Sequence, residues 1–394
     1  MFDLHAKKVQ SETAMKRVIF LTGATGLVGS NLIPRILRND WSSKLVLLVR
    51  GSSEKEAEAR IDQMLCALSS EIDFELAKKR IQVVRGDITL NGLGLPKSLY
   101  RTLAKEITHI IHSAATVQFQ LPLECARLVN YEGTRNVMAL AKLAQEKGRL
   151  EGVGYVSTAY VSGNREGRIL EDELDCGQEF GNTYEQTKFE SEKYVQSLIG
   201  ELPVTVFRPS IIVGDSETGR TTAFNVLYLP LKLIYRGIIT TLPGSYYTPL
   251  DVVPVDFVSD AINHIFLKTN QGMGKIYHIT AGENKATTTG EVVELAVDFF
   301  NQISSNGRIP QVKFVPAELC HKVMPLVRSH TRRALQAMEP YEPYLSGERL
   351  FDDTNACAAL EGTNITPPLF RTYYQTTLRY SIESDWGKLL KQAA

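Results

Sequence analysis

A glycine-punctuated turn between an apolar run and a helical pattern constrains the fold of this chain more than any other stretch. Four apolar residues, Val18 to Leu21, precede Thr22 and glycines at positions 23, 26 and 29. Apolar residues at helical spacing follow, so the pattern predicts a buried parallel strand that enters a helix through a tight turn. Such a turn directs backbone N–H groups at an anion and predicts a bound pyrophosphate. The expected cofactor contacts here are Gly23, Thr25, Gly26, Leu27, Val28 and Gly29.

The spacing of these glycines, G-x-x-G-x-x-G, differs from the usual dinucleotide-binding G-x-G-x-x-G. In the form TGATGLVG it resembles the signature of extended short-chain dehydrogenase/reductases. The resemblance implies an α/β fold, a doubly wound parallel sheet of Rossmann type, with a smaller, mostly helical C-terminal substrate domain. A glycine-rich turn that binds nothing is the alternative, but the flanking strand and helix patterns argue against it.

Changes of periodicity along the chain predict where its parts begin and end. Strand and helix patterns alternate up to the apolar run 204–214, which we interpret as one strand bent at Arg208-Pro209, and the alternation then stops. A capping box of Thr288 and Glu291 predicts a helix that runs to Asn301. The predicted parts are an N-terminal extension (1–16), an NADP-binding Rossmann domain (17–215), a substrate-domain insertion (216–250), a return to the Rossmann domain (251–282) and a C-terminal substrate-binding domain (283–394).

Arg50, at the end of the second predicted strand, favours NADPH as the cofactor. An Asp or Glu at this point holds the ribose 2′-hydroxyl of NAD, whereas an Arg accommodates the 2′-phosphate of NADP. The resemblance places Arg60 at the same phosphate, although a solvated surface arginine is an alternative for both residues. It also implies that Asp87 accepts a hydrogen bond from the adenine amino group. The remaining expected cofactor contacts are Ile88, Ala114, Ala115, Pro209 and Ser210, together with Tyr184 and Lys188.

Tyr184 and Lys188 are the most specific candidate catalytic residues. They lie four positions apart in a helical pattern, so both side chains share one helix face. A nearby ammonium is expected to lower the phenol pKa from about 10 and to make Tyr184 a general acid. The resemblance assigns Lys188 to the cofactor ribose and Thr158 to the substrate oxygen, with Ser157 as the second choice. Glycine turn, hydroxyl strand and Y-x-x-x-K occur in the order of that superfamily.

Other polar residues receive smaller roles. His112 ends a predicted strand, where a histidine is usually structural, and a catalytic base is the less favoured interpretation. The resemblance makes Asn130 a supporting residue of the site. The five cysteines are scattered, without a C-x-x-C pair, and fit reduced thiols, among which Cys176 lies before the Tyr184 helix. The histidines and carboxylates do not fall into metal-ligand spacing, so no metal site is expected.

The overall composition argues against some classes of binding partner. Lys plus Arg equals Asp plus Glu, 44 residues each, so no nucleic-acid partner is expected. The first sixteen residues have no apolar run typical of a signal peptide. The later apolar stretch 224–242 is interrupted by charges and a proline, so we expect no transmembrane segment and a cytoplasmic location.

Four further segments, YVSTAYVSG, NTYEQTKFESEKYV, TVFRPSIIVG and VPVDFVSDAI, resemble the thioester reductase and fatty acyl-CoA reductase group. The resemblance implies NADPH-dependent reduction of an acyl thioester to an aldehyde, and in some members on to an alcohol. The sequence shows no adenylation or carrier pattern, so the thioester is expected on coenzyme A or on a separate carrier protein. The acyl chain length, the product and the oligomeric state are left open.

Two alternative functions and one structural alternative remain open from the sequence. A sugar-nucleotide or sterol-type dehydrogenase or epimerase would share the fold, although Arg50 disfavours the NAD that epimerases prefer. A non-enzymatic NADP sensor or scaffold would usually lack the Tyr184 and Lys188 pair. The apolar run 224–247 fits an acyl tunnel or plain core equally well. If it is a tunnel, Leu227→Arg or Ile234→Arg should impair long-chain more than short-chain substrates.

Overall fold

The computed structural model describes residues 17–392 apart from 41, 69–70, 270–272, 304–306, 317–318, 320–321 and 323–328. The expected extension 1–16 lies outside this range. The strands are β1 (Val18–Thr22), β2 (Lys44–Val49), β3 (Ile81–Arg85), β4 (His109–His112), β5 (Gly152–Val156), β6 (Gly167–Ile169), β7 (Val204–Pro209), β8 (Ile211–Val213), β9 (Thr241–Pro243), β10 (Pro249–Leu250), β11 (Val252–Pro254), β12 (Ile276–Ile279), β13 (Thr287–Thr288), β14 (Lys313–Val315) and β15 (Arg349–Phe351).

The helices alternate with these strands in the first half of the chain and dominate the second half. They are α1 (Leu27–Asn39), α2 (Glu54–Ala67), α3 (Phe74–Arg80), α4 (Lys97–Glu106), α5 (Leu123–Arg127), α6 (Gly133–Glu146), α7 (Thr183–Gln196), α8 (Tyr228–Tyr235), α9 (Val255–Asn263), α10 (Thr289–Ile303), α11 (Ser329–Met338), α12 (Glu342–Leu345), α13 (Thr354–Leu360), α14 (Phe370–Glu383) and α15 (Lys388–Gln392). Single turns of π-helix precede α6 (Leu128–Glu132) and follow α9 (His264–Lys268).

A seven-stranded parallel sheet, in the order β12-β7-β5-β4-β1-β2-β3, forms the centre of the described structure. Its strands are apolar on both sides because helices cover both faces, and one apolar cluster lies on each face. The strand order reverses beside β1, so the carboxyl ends of β1 and β4 flank a crevice where doubly wound folds bind their ligands.

The run 204–214 forms two strands rather than one bent strand, and the chain leaves the sheet at the expected Arg208-Pro209 break. β7 pairs with β5 and β12, whereas β8 pairs with β11 in a separate two-stranded parallel sheet. Proline has no N–H to donate to a ladder, which suits a strand end. Within residues 251–282, β12 joins the seven-stranded sheet, α9 packs in the apolar cluster on one of its faces, and β11 pairs with β8 outside it.

A third apolar cluster covers the carboxyl-end side of the sheet. It combines α8, α10 and α14 with aromatic residues from the segment 341–351. Short strands also hold this part: β9 pairs with β14, β10 with β13 and β15 with β6. The part is therefore helical with small strand pairs, and the exact domain boundaries stay a prediction. Thr288 Oγ1 accepts a hydrogen bond from Glu291 N at 3.1 Å, at the helix start that the capping pattern predicted.

Within the described ranges, no helix has both the length and the apolar character that a membrane crossing requires.

Candidate active site

The glycine turn has the geometry of an anion-binding loop. Gly23 has a φ of 74°, and a Cβ there would lie 2.7 Å from the backbone nitrogen of Ala114. A Cβ on Gly29 would lie 2.1 Å from the carbonyl oxygen of Gly23. α1 begins at Leu27, and its N-cap, Gly26, offers no side chain to the first N–H groups of the helix. These N–H groups are therefore available to a phosphate, so the turn fits a dinucleotide.

A cleft of about 340 Å³ begins at this turn and extends toward the C-terminal part. Its walls come from the ends of β1, β4, β5 and β7, from α7 and from the segment 222–227. Ten of the predicted site residues line it: Thr25, Gly26, Leu27, Val28, Ala115, Thr158, Tyr184, Lys188, Pro209 and Ser210. The structure thus brings together residues from both halves of the sheet at one edge.

The predicted adenosine contacts Arg50, Arg60 and Asp87 do not line the cleft. Arg60 donates to the carbonyl oxygen of Arg50 at 2.7 Å and lies 3.5 Å from Thr25 Oγ1, so both arginines are next to the glycine loop. Asp87 accepts hydrogen bonds from the backbone and side chain of Thr89, each at 2.9 Å.

Two further predicted contacts act through close packing. Ile88 packs so closely against Gly133 that a Cβ on this glycine would lie 2.7 Å from the isoleucine side chain. The backbone nitrogen of Ala114 donates to Thr22 Oγ1 at 3.3 Å and tightens the end of β4 against β1.

Tyr184 and Thr158 form a hydroxyl pair in the cleft. Burial raises the pKa of Tyr184 to about 12, and a hydrogen bond with the Thr158 side chain partly opposes this. The expected lowering of the phenol pKa is therefore wrong for this structure. Ser157, the second choice for the substrate oxygen, donates its proton to the Glu192 carboxylate instead. Between the two hydroxyls, Thr158 is the one beside Tyr184.

Lys188 is held on the strand β5 rather than on the phenol of Tyr184. Its Nζ lies 2.8 Å from Tyr155 Oη and 2.8 Å from the carbonyl oxygen of Val156. Burial lowers the pKa of Lys188 to about 7, and the negative charge of Glu192 partly opposes this. The ammonium is therefore close to its midpoint at neutral pH, in contrast to an exposed lysine.

His112 and Asn130 have structural surroundings. The His112 ring lies 2.7 Å from Thr22 Oγ1 and 3.0 Å from Thr134 Oγ1. Burial, and next the Lys188 charge, lower its pKa to about 3, so the imidazole stays neutral. Asn130 bonds the backbone of Thr116 on both its amide atoms and donates to Thr187 Oγ1 at 2.9 Å. It fastens the loop after β4 to α7.

Sequence reasoning missed an aromatic stack at the mouth of the cleft. The Phe119 ring lies 5.7 Å from that of Tyr184 and 5.6 Å from that of Tyr344, nearly parallel to the latter. Tyr344 lies 160 positions beyond Tyr184 in the sequence, so no local pattern connects them. A buried ion pair was also missed: Arg208 donates to Glu192 at 2.6 Å and ties α7 to β7. The charge of Arg208 within an otherwise apolar strand was the available signal.

The apolar run 224–247 divides into cavity wall and core. Val226 and Leu227 line both the cleft and a small adjoining apolar cavity of about 20 Å³. Tyr344 lies between the two spaces. Ile234, by contrast, is fully buried in the apolar cluster and lines neither space. The test with Ile234→Arg therefore reports core stability, whereas Leu227 is correctly placed to test a tunnel.

No group of three or more His, Cys, Asp or Glu side chains within the described ranges could hold a metal ion. Cys176 is an exposed free thiol and does not line the cleft, and Cys320 lies outside the described residues.

Comparison with known proteins identifies the family. The model of an NAD-binding family described as male sterility protein matches residues 21–262. The chain belongs to this male sterility protein family. The match spans the glycine turn, Thr158, Tyr184 and Lys188, and it ends in α9.

Two curated relatives of this male sterility family member are reductases. The chain is 29% identical to the fatty acyl-CoA reductase wat of Drosophila melanogaster over 276 residues, which covers 62% of this chain and 53% of the relative. It is 31% identical to the carboxylic acid reductase of Segniliparus rugosus over 290 residues, which covers 65% of this chain and 23% of the relative. The chain thus matches about half of the first protein's length and about a quarter of the second.

A solved structure covers nearly all of the chain. The terminal R domain from the myxalamid PKS-NRPS biosynthetic pathway superposes with a TM-score of 0.80 at 28% identity, covering 95% of this chain and 92% of that domain. This likeness confirms the predicted Rossmann-type fold class, including the part that follows the family match.

Proposed function

We propose that this chain is an NADPH-dependent reductase that converts an acyl thioester to an aldehyde. The observation that carries the proposal is the hydroxyl pair of Thr158 and Tyr184 in a cleft that begins at the glycine turn and ends in apolar walls. The reductase names of the curated relatives support an acyl substrate. Further reduction of the aldehyde to an alcohol would use the same groups.

The side chains of the cleft provide the polar part of the reaction. NADPH, when bound, supplies the hydride. Thr158 and Tyr184 donate hydrogen bonds to the carbonyl oxygen of the thioester, where negative charge develops. Because burial raises the Tyr184 pKa to about 12, the phenol keeps its proton at neutral pH and can give it to that oxygen as a general acid. The resulting hemithioacetal loses a proton from the same oxygen as its carbon–sulfur bond breaks, which releases the aldehyde and the free thiol. Lys188 holds the cofactor ribose with its buried ammonium.

The preference for NADPH rests on two cations beside the glycine turn. Arg50 is exposed at the end of β2, and Arg60 lies against its backbone and near Thr25. A 2′-phosphate at this point would meet two guanidinium groups, which bind phosphate with forked hydrogen bonds. Asp87, Ile88, Ala114, Ala115, Pro209 and Ser210 are proposed as the other cofactor contacts.

The thioester is proposed to arrive on coenzyme A or on a separate carrier protein. The fly relative is named a fatty acyl-CoA reductase, whereas the structural neighbour comes from a PKS-NRPS pathway. The small cavity beyond Leu227 and Tyr344 has room for about one water-sized group in this conformation. It is a candidate for the end of the acyl group.

The test follows NADPH oxidation with a panel of acyl-CoAs and NADP⁺ reduction with UDP-sugars and hydroxysteroids. Turnover is expected with acyl-CoAs, and Tyr184→Phe should lower kcat by about 10²- to 10⁴-fold because the general acid is lost. Tyr373→Phe is the matched control, since this buried phenol bonds the Val252 carbonyl outside the cleft. Equal turnover by Tyr184→Phe and the parent contradicts the mechanism, and turnover with UDP-sugars alone contradicts the substrate class.

A further inference from the structure

The side chain of Tyr155 contacts the Lys188 ammonium in the protein interior. Tyr155 is fully buried in β5, and Lys188 is only 3% exposed. Lys188 Nζ lies 2.8 Å from Tyr155 Oη and 4.2 Å from the centre of the same ring. One aromatic residue therefore gives the ammonium both an oxygen acceptor and a π face.

The neighbours of Tyr155 leave its oxygen available to Lys188. The side-chain hydroxyls of Ser191 and Thr134 lie near the phenol. Thr134 already donates to the Asn130 carbonyl at 2.6 Å, and Ser191 donates to the carbonyls of Asn130 and Thr187. Because both hydroxyls donate to backbone carbonyls, neither competes with Lys188 for the phenol oxygen. The lone pairs of the phenol oxygen are thus free to accept from Lys188.

We propose that Tyr155 is a positioning residue for Lys188, whose ammonium it holds at the end of β5 by accepting a hydrogen bond on its phenol oxygen. The proposal rests on the proposed function, in which Lys188 holds the cofactor ribose. Tyr155 does not line the cleft, so it acts through the lysine and has no contact with substrate.

The charge of Lys188 depends on few neighbours. On its own helix, Tyr184 faces the cleft and Glu192 opposes the effect of burial. From the sheet, Tyr155 on β5 accepts its hydrogen bond and His112 on β4 stays neutral. Glu192 is also paired with Arg208 of β7, which reduces its influence. Loss of the phenol oxygen removes an acceptor of the ammonium, so the pKa of Lys188 should fall below about 7.

The first experiment measures NADPH binding by nucleotide fluorescence between pH 5.5 and 9 and needs no acyl substrate. Parental binding should weaken as the pH rises and Lys188 loses its proton. In Tyr155→Phe, which keeps the ring, the midpoint should move down by about one pH unit, so binding at pH 8 falls about tenfold while binding at pH 5.5 is retained. Tyr373→Phe is the control. It removes a buried phenol that donates to the Val252 carbonyl, and it should keep the parental midpoint.

An unchanged midpoint in Tyr155→Phe overturns the proposal, and so does an equal loss of binding at every pH. If Tyr155→Phe does not fold, 3-fluorotyrosine at position 155 replaces it: the fluorine makes the phenol oxygen a weaker acceptor, so the midpoint should shift less, in the same direction. An unshifted binding midpoint in that variant also overturns the proposal.

The second experiment separates this proposal from the proposed function. With acyl-CoA, the alkaline limb of kcat/KM for NADPH should shift in Tyr155→Phe as binding does. A binding shift without turnover of any acyl thioester contradicts the reductase proposal and supports the role of Tyr155. Turnover of acyl-CoA in Tyr155→Phe, with neither the alkaline limb nor the NADPH-binding midpoint shifted, supports the reductase proposal and contradicts the role of Tyr155.

Discussion

At the scale of single residues, burial acts in opposite directions on the two ends of the Tyr184 and Lys188 pair. It raises the pKa of the phenol to about 12 and lowers that of the ammonium to about 7. Low polarity disfavours the charged form of each group. Tyr184 therefore stays protonated across the physiological range, whereas Lys188 titrates within it. Lys188 is therefore the group that would make the site sensitive to pH.

Arg60 allows a residue-scale test of cofactor choice. Arg60→Ala should weaken NADPH binding by about 10- to 100-fold, because a charged hydrogen bond to the 2′-phosphate is lost, and should leave NADH binding unchanged. Fluorescence titration with both nucleotides measures this. Arg135→Ala is the control, since Arg135 is an exposed arginine paired with Glu132 on α6. Equal losses for NADPH and NADH would remove Arg60 from the phosphate site.

At the scale of elements, α7 connects the cleft to both neighbouring layers. Tyr184 and Lys188 face the cleft, Glu192 is paired with the buried Arg208 of β7, and Glu190 is paired with Arg127 of α5 at 2.7 Å. The buried pair is costly to break, because either partner alone would leave an uncompensated charge. The helix is thereby fixed in the orientation that keeps Tyr184 beside Thr158.

The segment that leads into α8 carries an element-scale prediction about acyl length. Leu227→Arg should lower kcat/KM for long acyl-CoAs at least about tenfold relative to short ones, because a charge would replace the apolar wall of the cleft. Ile234→Ala, seven residues further on, should cost about 2–5 kcal/mol of unfolding free energy and leave the chain-length ratio unchanged.

Kinetics with short and long acyl-CoAs and urea unfolding of both variants check this pair. An equal loss for long and short substrates in Leu227→Arg would mean that this wall does not contact the acyl chain.

At the scale of the whole molecule, Glu171 joins the C-terminal part to the edge of the central sheet. Its carboxylate accepts from the backbone nitrogens of His278 in β12 and Asn355 in α13, at 2.8 and 2.6 Å. Burial raises its pKa to about 7, although these hydrogen bonds partly oppose the effect. A single carboxylate thus links the loop after β6, the last strand of the sheet and the helix after β15.

The raised pKa of Glu171 predicts that the stability of the fold decreases as the pH rises. Between about pH 4.5 and 7 the folded chain keeps a proton that the unfolded chain has released, so unfolding free energy falls as pH rises, by up to about 3 kcal/mol. Urea unfolding from pH 5 to 8 should show this slope, flattened in Glu171→Gln. Glu173→Gln is the control, because the Glu173 pKa is lowered and titrates below that window. A parental slope in Glu171→Gln would contradict the assignment.

The features that depend on local spacing were predicted from the sequence. The glycine turn and the Tyr184 and Lys188 pair depend on neighbours within one turn or one helix, and their elements were correctly predicted. The contact of Lys188 with Tyr155 spans 33 positions, and the Phe119 stack needs Tyr344 from the C-terminal part. Both are set by how the sheet and the helices pack. The bend at Arg208-Pro209 was predicted, but the change to a separate sheet was not, because residues 204–214 remain apolar on both sides of the bend.

The place of β12 at the edge of the central sheet has a consequence for synthesis on the ribosome. β7 gains its second neighbour only from residues 276–279, after the inserted segment and α9 have been translated. Until then a nascent chain presents one bare ladder of N–H and C=O groups along β7, with apolar side chains on both faces. Such an edge recruits other strands, so the interval before β12 emerges is when this chain most needs a chaperone.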